Sequence, residues 1–380
     1  MPVTQDLFAS ALADYQAFSP LHTATSTAVQ GLADAQVATM IDLFSGAGGL
    51  SLGFTQAGFK SVFAVEIDKT AAATYAHNFG HHIFAGPIQD VQSKDIPSAD
   101  IVIGGPPCQG FSPLGKMTSV HGHGTMNQLW REYLRVVKAS NPKIFVIENV
   151  PELLRSEELP SIIEEATALG YKTVSGILAA VDFGVPQKRR RAFIIGVRND
   201  LDIEPSLPVG RATPKTVRDA IEDLPLDPTG LSWHIGRTAT PKSLERYKVV
   251  PPGGNRFDLV RNRPDLAPEC WKKKKTGSTD VFGRLEWDKP ALTIRTEFYK
   301  PEKGCYLHPQ AHRPLTHREA ARLQTFPDSF EFLGSKIDVA KQIGNAVPPV
   351  LAMAVALHVQ ALLASRVALN EFPYNSGGEA

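Results

Sequence analysis

The run Gly104-Gly105-Pro106-Pro107-Cys108-Gln109-Gly110-Phe111-Ser112 sets a thiol behind two prolines and ahead of a glycine-rich stretch with Gly115, Gly122 and Gly124. Prolines stiffen the approach to Cys108 and glycines free the chain after it, which suits a fixed nucleophile under a mobile lid. A cysteine taken at random is more often an inert core residue, but these flanks favour the nucleophile. Glu148-Asn149-Val150 follows the apolar run Ile144–Ile147, so its carboxyl should be partly desolvated and able to donate a proton. Helix capping is its duller role. Gln187-Lys188-Arg189-Arg190-Arg191 leads into Ala192–Val197, and strand alternation would point Gln187, Arg189 and Arg191 to one face. Three polar groups entering a buried strand need a partner such as a phosphate or a base edge. Asp42-Leu43-Phe44-Ser45-Gly46-Ala47-Gly48-Gly49 allows a tight turn and close approach of a ligand to backbone and helix N-terminus. Glu66 lies 18 residues beyond Gly48, placed to accept hydrogen bonds from a ribose diol. Ser51 stands where a dinucleotide-binding loop has its third glycine, which points to an adenosine-containing ligand other than NAD. The histidines, including His81-His82 and His121/His123, show no metal-ligand spacing.

These groups need elements to hold them. Thr39–Phe44, Val62–Ile67, Asp100–Gly104, Ile144–Ile147, Thr173–Leu178 and Ala192–Val197 have strand length and β-branched residues, mostly apolar at consecutive positions. That pattern marks strands buried on both faces, hence a parallel sheet covered by helices. Leu129, Tyr133 and Val136/Val137 make one helical stripe, and Ser161–Leu169 makes another that Gly170 stops. The fold class is therefore α/β: a doubly wound, mostly parallel, Rossmann-like sheet, with a second, smaller irregular domain. Pro205, Pro208, Pro214, Pro225, Pro228, Pro241, Pro251, Pro252, Pro264 and Pro268 break the later chain into pieces that favour loops and short strands over long helices. Helical character returns at Arg318–Gln324 and Pro349–Leu369. The expected divisions are an arm over 1–37, a catalytic domain over 38–200, an inserted domain over 201–315, a return over 316–370 and a tail over 371–380.

Composition bounds the function. The chain has 380 residues, 43% hydrophobic and 21% charged, with a net charge of +1. It can bury a substantial core, and no apolar run reaches a membrane span of roughly 18 residues. The start MPVTQDLFAS lacks a signal-peptide layout, and three cysteines in no paired spacing argue against a disulfide scaffold. A cytoplasmic protein is the expectation. The small net charge hides a local one: residues 230–300 hold 15 Lys/Arg against 8 Asp/Glu, an excess of +7 that leaves −6 elsewhere. A concentrated basic segment suits a nucleic-acid face, although Lys272–Lys275 would serve equally as a solvated loop.

In order, the segments Asp42–Gly49, Pro107-Cys108-Gln109, Glu148-Asn149-Val150, Gln187-x-Arg189-x-Arg191, Arg318–Gln324 and Gln342–Pro349 resemble the DNA (cytosine-5) methyltransferase family. The resemblance runs from about residue 39 to 365. It implies S-adenosylmethionine as cofactor, no metal, and methyl transfer to C5 of a cytosine flipped out of double-stranded DNA. In that scheme Cys108 adds to C6, Glu148 holds the N3/N4 edge and Arg191 holds O2, while Arg189 and Ser112 lie on the phosphate side. The cofactor would meet Phe44 on its adenine, Glu66 on its ribose, and Gly46, Gly48, Gly49, Leu50, Ile67, Ile88, Pro107, Leu129, Asn345 and Val347 elsewhere. The insert matches the family's variable target-recognition region, where arginine, the commonest reader of guanine, makes Arg256, Arg261, Arg263, Arg284 and Arg295 candidates, together with Gln187. A monomer is expected, and a companion restriction endonuclease without a stable complex is compatible. Two positions depart: Gly86-Pro87-Ile88 replaces Gly-Asp-Ile, and Met126 stands where an arginine is usual.

Two kinds of alternative remain. A tRNA cytosine methyltransferase shares the scaffold, but the Cys-Phe-Thr typical of those relatives is not found. A non-enzymatic DNA-binding relative would not need Cys108, Glu148 and Arg191 intact, and a nicotinamide oxidoreductase would keep the third glycine.

Overall fold

A computed structural model describes residues 37–107, 129–273 and 276–371. The expected arm up to residue 36, the lid segment 108–128 with Cys108, Ser112 and Met126, Lys274-Lys275 and the tail after 371 lie outside the described residues.

Seven strands form one sheet: β1 (Thr39–Leu43), β2 (Lys60–Glu66), β3 (Ile83–Ala85), β4 (Ile101–Gly104), β5 (Ile144–Asn149), β6 (Tyr171–Ala179) and β7 (Arg190–Arg198). Their spatial order is β3-β2-β1-β4-β5-β7-β6. The first five are parallel, whereas β7 runs antiparallel to both β5 and β6. A parallel β6–β7 pair would need a crossover long enough to traverse the sheet, and the connection over 180–189 is too short. The reversed strand has a consequence for the site, because it starts at the edge where the parallel strands end.

Alternate residues of the central strands feed two cores. Met40, Ile101, Ile103, Val146 and Phe193 pack beneath α1 (Gly49–Gln56) and the last helix, α11 (Pro349–Glu371). Ile41, Leu43, Val102, Phe145 and Ile147 pack under α3 (Leu129–Ser140) and α4 (Glu158–Ala168), whose Tyr133, Val137 and Ile162 close that face. The remaining sheet helix, α2 (Lys69–Phe79), follows β2. Gly53 lets α1 approach α11 closely, since a Cβ there would lie 2.5 Å from Ala352 Cβ and Pro349 O. Although the stretch Lys336–Ser365, which includes most of α11, is apolar and long enough to cross a membrane, 72% of its apolar window is buried inside the protein.

After Leu201 the pieces are short helices more than the expected short strands: α5 (Val217–Ile221), α6 (Pro241–Val249), α7 (Arg256–Asn262) and α8 (Glu269–Lys273), with one small pair of strands, β8 (Gly283–Arg284) and β9 (Cys305–Leu307). The prolines allow this because Pro241 occupies a helix's first position, where no hydrogen bond is lost. Return helices α9 (His317–Leu323) and α10 (Lys336–Asn345) each open on a Thr or Ser capping box.

The centre of this region is a buried carboxylate. Glu319 accepts from Arg313 Nη1 and Nη2 at 2.9 and 2.7 Å and from Thr316 N at 2.7 Å. His234 and His308 each bring Nε2 to 3.6 Å from the same carboxylate. Burial alone would raise Glu319, but Arg313 and His234 overcome it and hold the carboxyl at about 2. Burial lowers His308 to about 4. Both groups bind protons more weakly folded than unfolded, so the stability each contributes is lost as pH falls, through His308 from about 6.5 to 4 and through Glu319 from about 4.5 to 2. Relative to the native chain, His308→Asn should therefore remove a loss of urea midpoint between about pH 6.5 and pH 4.5. Parallel midpoint profiles for the native and His308→Asn proteins would contradict the assignment.

Candidate active site

The carboxyl ends of β1, β2, β4 and β5 share one edge of the sheet, where ligands of doubly wound folds bind. Phe44 leaves β1 with φ 57°, and Gly46 and Gly48 follow at 55° and 97°. This left-handed path curls the loop so that Ser45 N donates to Val65 O and Gly46 N to Glu66 Oε2, at 3.1 and 2.8 Å. Glu66 Oε1 also accepts from Asp68 N at 2.8 Å, so the carboxylate that ends β2 staples the glycine loop in place. Burial raises the Glu66 pKa, and these backbone bonds oppose the rise. Gly49 must be glycine because a Cβ would lie 2.5 Å from Val347 O, and that contact seats Asn345–Val347 on the loop.

Phe44, Ile88 and Leu129 gather on one side of the sheet with the α3 core, while Leu50 and Val347 sit in the core under α11. Ile67 protrudes just after β2 and is 67% exposed, as befits a platform for a planar ring. Pro107 is half-buried and Asn345 exposed beside the loop. Gly86-Pro87-Ile88 runs into a short turn through Asp90, whose side chain faces solvent. Arg135 of α3 fixes this wall by donating to Ile88 O at 3.0 Å.

Across the switch point, Gly104 (φ 158°) and Gly105 carry the chain off β4 toward Pro106-Pro107. Asn149 Nδ2 donates to Pro106 O at 2.9 Å, clamping the segment that leads into residue 108. Sequence reading passed over that clamp, although Asn149 adjoins Glu148. The antiparallel register sets Glu148 opposite Phe193, which puts Arg191 at the mouth of β5. Arg191 Nε lies 2.9 Å from Glu148 Oε1 in a nearly buried ion pair. Burial raises the Glu148 pKa, while Arg191 and Arg189 draw it down, leaving a carboxyl that can hold or release a proton. Gly105 lies directly against it, for a Cβ there would meet Glu148 Oε2 at 2.9 Å.

Several candidates have other employment. Gln187 is buried, donating to Leu323 O and Gln324 Oε1 and accepting from Ile294 N, so it is not offered to DNA. Arg189 is 1% exposed and donates to Ile294 O, Gly344 O and Asn345 O, a clamp across the fold instead of a phosphate ligand. The expectation of three groups on one open face fails because β7 begins only at Arg190 and protein carbonyls fill the partner role. Arg284 is buried and donates to the carbonyls of Val250, His308, Ala311 and Tyr247, so it organises the insert. Arg256 is buried too, with Thr276 O and the Phe257 ring as neighbours. Arg261, Arg263 and Arg295 reach the surface, each beside a carboxylate: Asp258, Asp265 and Asp280.

The loop, the Glu148–Arg191 pair and the strand order together place the chain among doubly wound α/β proteins with a site at the sheet's carboxyl edge. Residues 38–361 match the C-5 cytosine-specific DNA methylase family, and the chain belongs to it. It is 38% identical over 335 residues to the Type II methyltransferase M1.HphI of Haemophilus parahaemolyticus, covering 84% of this chain and 85% of that one. With M.PspPI of Psychrobacter it shares 37% over 369 residues, covering 93% and 85%. Among solved structures, an Escherichia coli prophage-encoded protein described as a DNA modification methyltransferase superposes with a TM-score of 0.68 at 29% identity, covering 86% of this chain and 99% of that one. Spodoptera frugiperda DNMT2, at 17% identity and a TM-score of 0.59 with coverages of 86% and 99%, shares the fold. The protein is thus a cytosine-5 DNA methyltransferase, and its family draws the methyl group from S-adenosylmethionine.

Gly105→Ala tests the crowding at the carboxylate. The added methyl presses on the Glu148 carboxylate at 2.9 Å and its backbone oxygen at 3.3 Å, so the fold should survive at a cost of roughly 1–3 kcal/mol while the carboxyl shifts. Misplacement of that size should slow methyl transfer by roughly 10- to 100-fold in kcat. A native rate in a folded Gly105→Ala protein would show that Glu148 needs no such room.

Proposed function

We propose that Cys108, Glu148 and Arg191 carry out the methylation of a cytosine flipped from a specific duplex sequence. The Glu148–Arg191 pair carries this reading, since it stands at the switch point beside the clamped Pro106-Pro107 segment that leads into Cys108. A ring atom inside the helical stack is out of reach, so the base must leave it. Glu148, kept protonatable by burial, binds the N3/N4 edge, and Arg191 meets O2 while holding Glu148 in line. Cys108 as thiolate forms a bond to C6, pushing electrons toward C5. C5 would take the methyl as the carrier's S–CH3 bond breaks and its sulfur leaves as a neutral thioether, a base removes the C5 proton, and the returning electron pair breaks the C6–S bond.

The cofactor reading rests on the loop's own geometry: left-handed turns at Phe44, Gly46 and Gly48 form a cradle, and Asp42 Oδ1 beneath it is buried without a partner among the described residues. When bound, S-adenosylmethionine supplies an electrophilic methyl on a sulfonium. Phe44 and Ile67 would flank its adenine, Glu66 its ribose, and the Gly46–Gly49 backbone its methionyl end. Arg261, Arg263, Arg295 and Lys273 are exposed and suited to phosphate contacts by the 201–315 insert. The curated relatives' Type II designation supports a role in restriction–modification; a monomeric enzyme, with an endonuclease acting separately on the same sequence, is compatible with that role.

Incubation with labelled S-adenosylmethionine should put 5-methylcytosine into duplex DNA and none into tRNA. Label on tRNA alone would overturn the substrate assignment. Cys108→Ala should lose at least roughly 1000-fold in rate yet keep duplex binding, with affinity falling steeply as salt rises; turnover close to native in that variant would rule out the covalent route.

A further inference from the structure

Beneath the glycine loop runs a chain of polar groups that the methylation chemistry does not use. Asp42 sits fully buried on β1, in register with Ala64 of β2 and Ile103 of β4. Its Oδ2 accepts from Ser51 Oγ at 2.7 Å, and its Oδ1 has no hydrogen-bond partner among the described residues. Ser51 Oγ lies 2.9 Å from Tyr75 Oη, Tyr75 Oη lies 2.9 Å from Ser61 Oγ, and Ser61 Oγ lies 2.8 Å from His82 Nε2. Each hydroxyl has one proton, so the first bond fixes the rest. Ser51 gives its proton to Asp42 and must accept from Tyr75; Tyr75 must then accept from Ser61, and Ser61 from His82. All donors point from the half-buried His82 inward to the carboxylate.

Among the described residues, no cationic group balances that carboxylate. The titratable groups that face it are Glu66 from β2, Tyr75 from α2 and Tyr133 from α3, and no described ion pair includes it. A buried carboxylate with one unsatisfied oxygen and a like-charged neighbour is costly, and a cation close to it removes most of the cost. Of the two forms of the cofactor, the methyl donor carries one positive charge more than the demethylated product.

We propose that Asp42 is a specificity-determining residue that distinguishes the cationic methyl donor from its neutral product, with its proton exchanged to solvent through Ser51, Tyr75, Ser61 and His82. The inference rests on the cofactor reading above. Binding of the cation leaves Asp42 ionised, and its proton departs along the chain. Once the charge is lost in methyl transfer, Asp42 takes a proton from Ser51, each hydroxyl is refilled from the next, and His82 gives its Nε2 proton while gaining one from water on Nδ1. The proton count closes with no further reactant. Burial, partly opposed by Ser51 and reinforced by Glu66, sets Asp42 at about 7, where either partner state is within reach.

Titration calorimetry of the full chain at pH 6.5, in buffers of different ionisation heat, reads the proton directly. S-adenosylmethionine should release roughly three-quarters of a proton per site, and S-adenosylhomocysteine less than about 0.2. Donor affinity should tighten about tenfold between pH 6 and pH 8, and product affinity less than about twofold. Asp42→Asn should abolish both differences. Tyr75→Phe should keep the proton count but slow its appearance in stopped flow with an indicator dye. Equal proton release with the two ligands, or undiminished release in Asp42→Asn, would overturn the proposal; if that variant does not fold, the comparison of ligands on the native chain decides alone. Failure to bind either ligand would instead overturn the cofactor reading beneath it.

Discussion

Arg189 is the side chain on which the two halves of the site depend. Its guanidinium spans from the start of β7 to Ile294 of the insert and to Gly344 and Asn345 of the return segment. Next to it, Gln187 ties the same strand to Ile294, Leu323 and Gln324. One buried strand entrance therefore fixes both Arg191, beside Glu148, and the Asn345–Val347 segment, against the glycine loop. Burying a guanidinium is costly unless carbonyls surround it, and burial with Arg191 nearby does push its pKa well down. Removing either partner would leave the other polar group stranded, which makes the joint hard to vary piecemeal.

The core sheet was legible because most of its strands are apolar on consecutive positions, as in Val62–Val65 of β2, Ile144–Ile147 of β5 and Ala192–Ile195 of β7. β3 escaped notice since Ile83-Phe84-Ala85 is too short to display a period. The reversal of β7 was invisible for another reason: a strand buried on both faces reads alike in either direction. That the glycine loop, Glu66 and Glu148 share one edge of the sheet was readable from position, because strand ends in this fold class converge there. Arginines were where inference failed. Arg284 and Arg263 look alike in sequence, yet one is wrapped in carbonyls from four residues and the other lies on the surface beside Asp265. Their partners sit at separations that no local pattern encodes.

Ser51 shows the same limit from the other side. Its departure from glycine was readable and turned the ligand assignment away from NAD. What the hydroxyl does instead could not be read, since Asp42, Tyr75 and Ser61 meet it only after β1, α1, α2 and β2 have packed.

The close fit of α1 against α11 bears on how the molecule is made. Gln360 reaches back to Ala57 across 303 residues of sequence, and Gly53 nests on the first turn of α11. During synthesis the glycine loop therefore emerges long before the helix that supports it. Until α11 leaves the ribosome, the apolar face of α1 and the sheet beneath have no cover, a state prone to collapse or to capture by chaperones. Competence for chemistry should thus be acquired abruptly, once α11 has emerged, and not gradually along the chain.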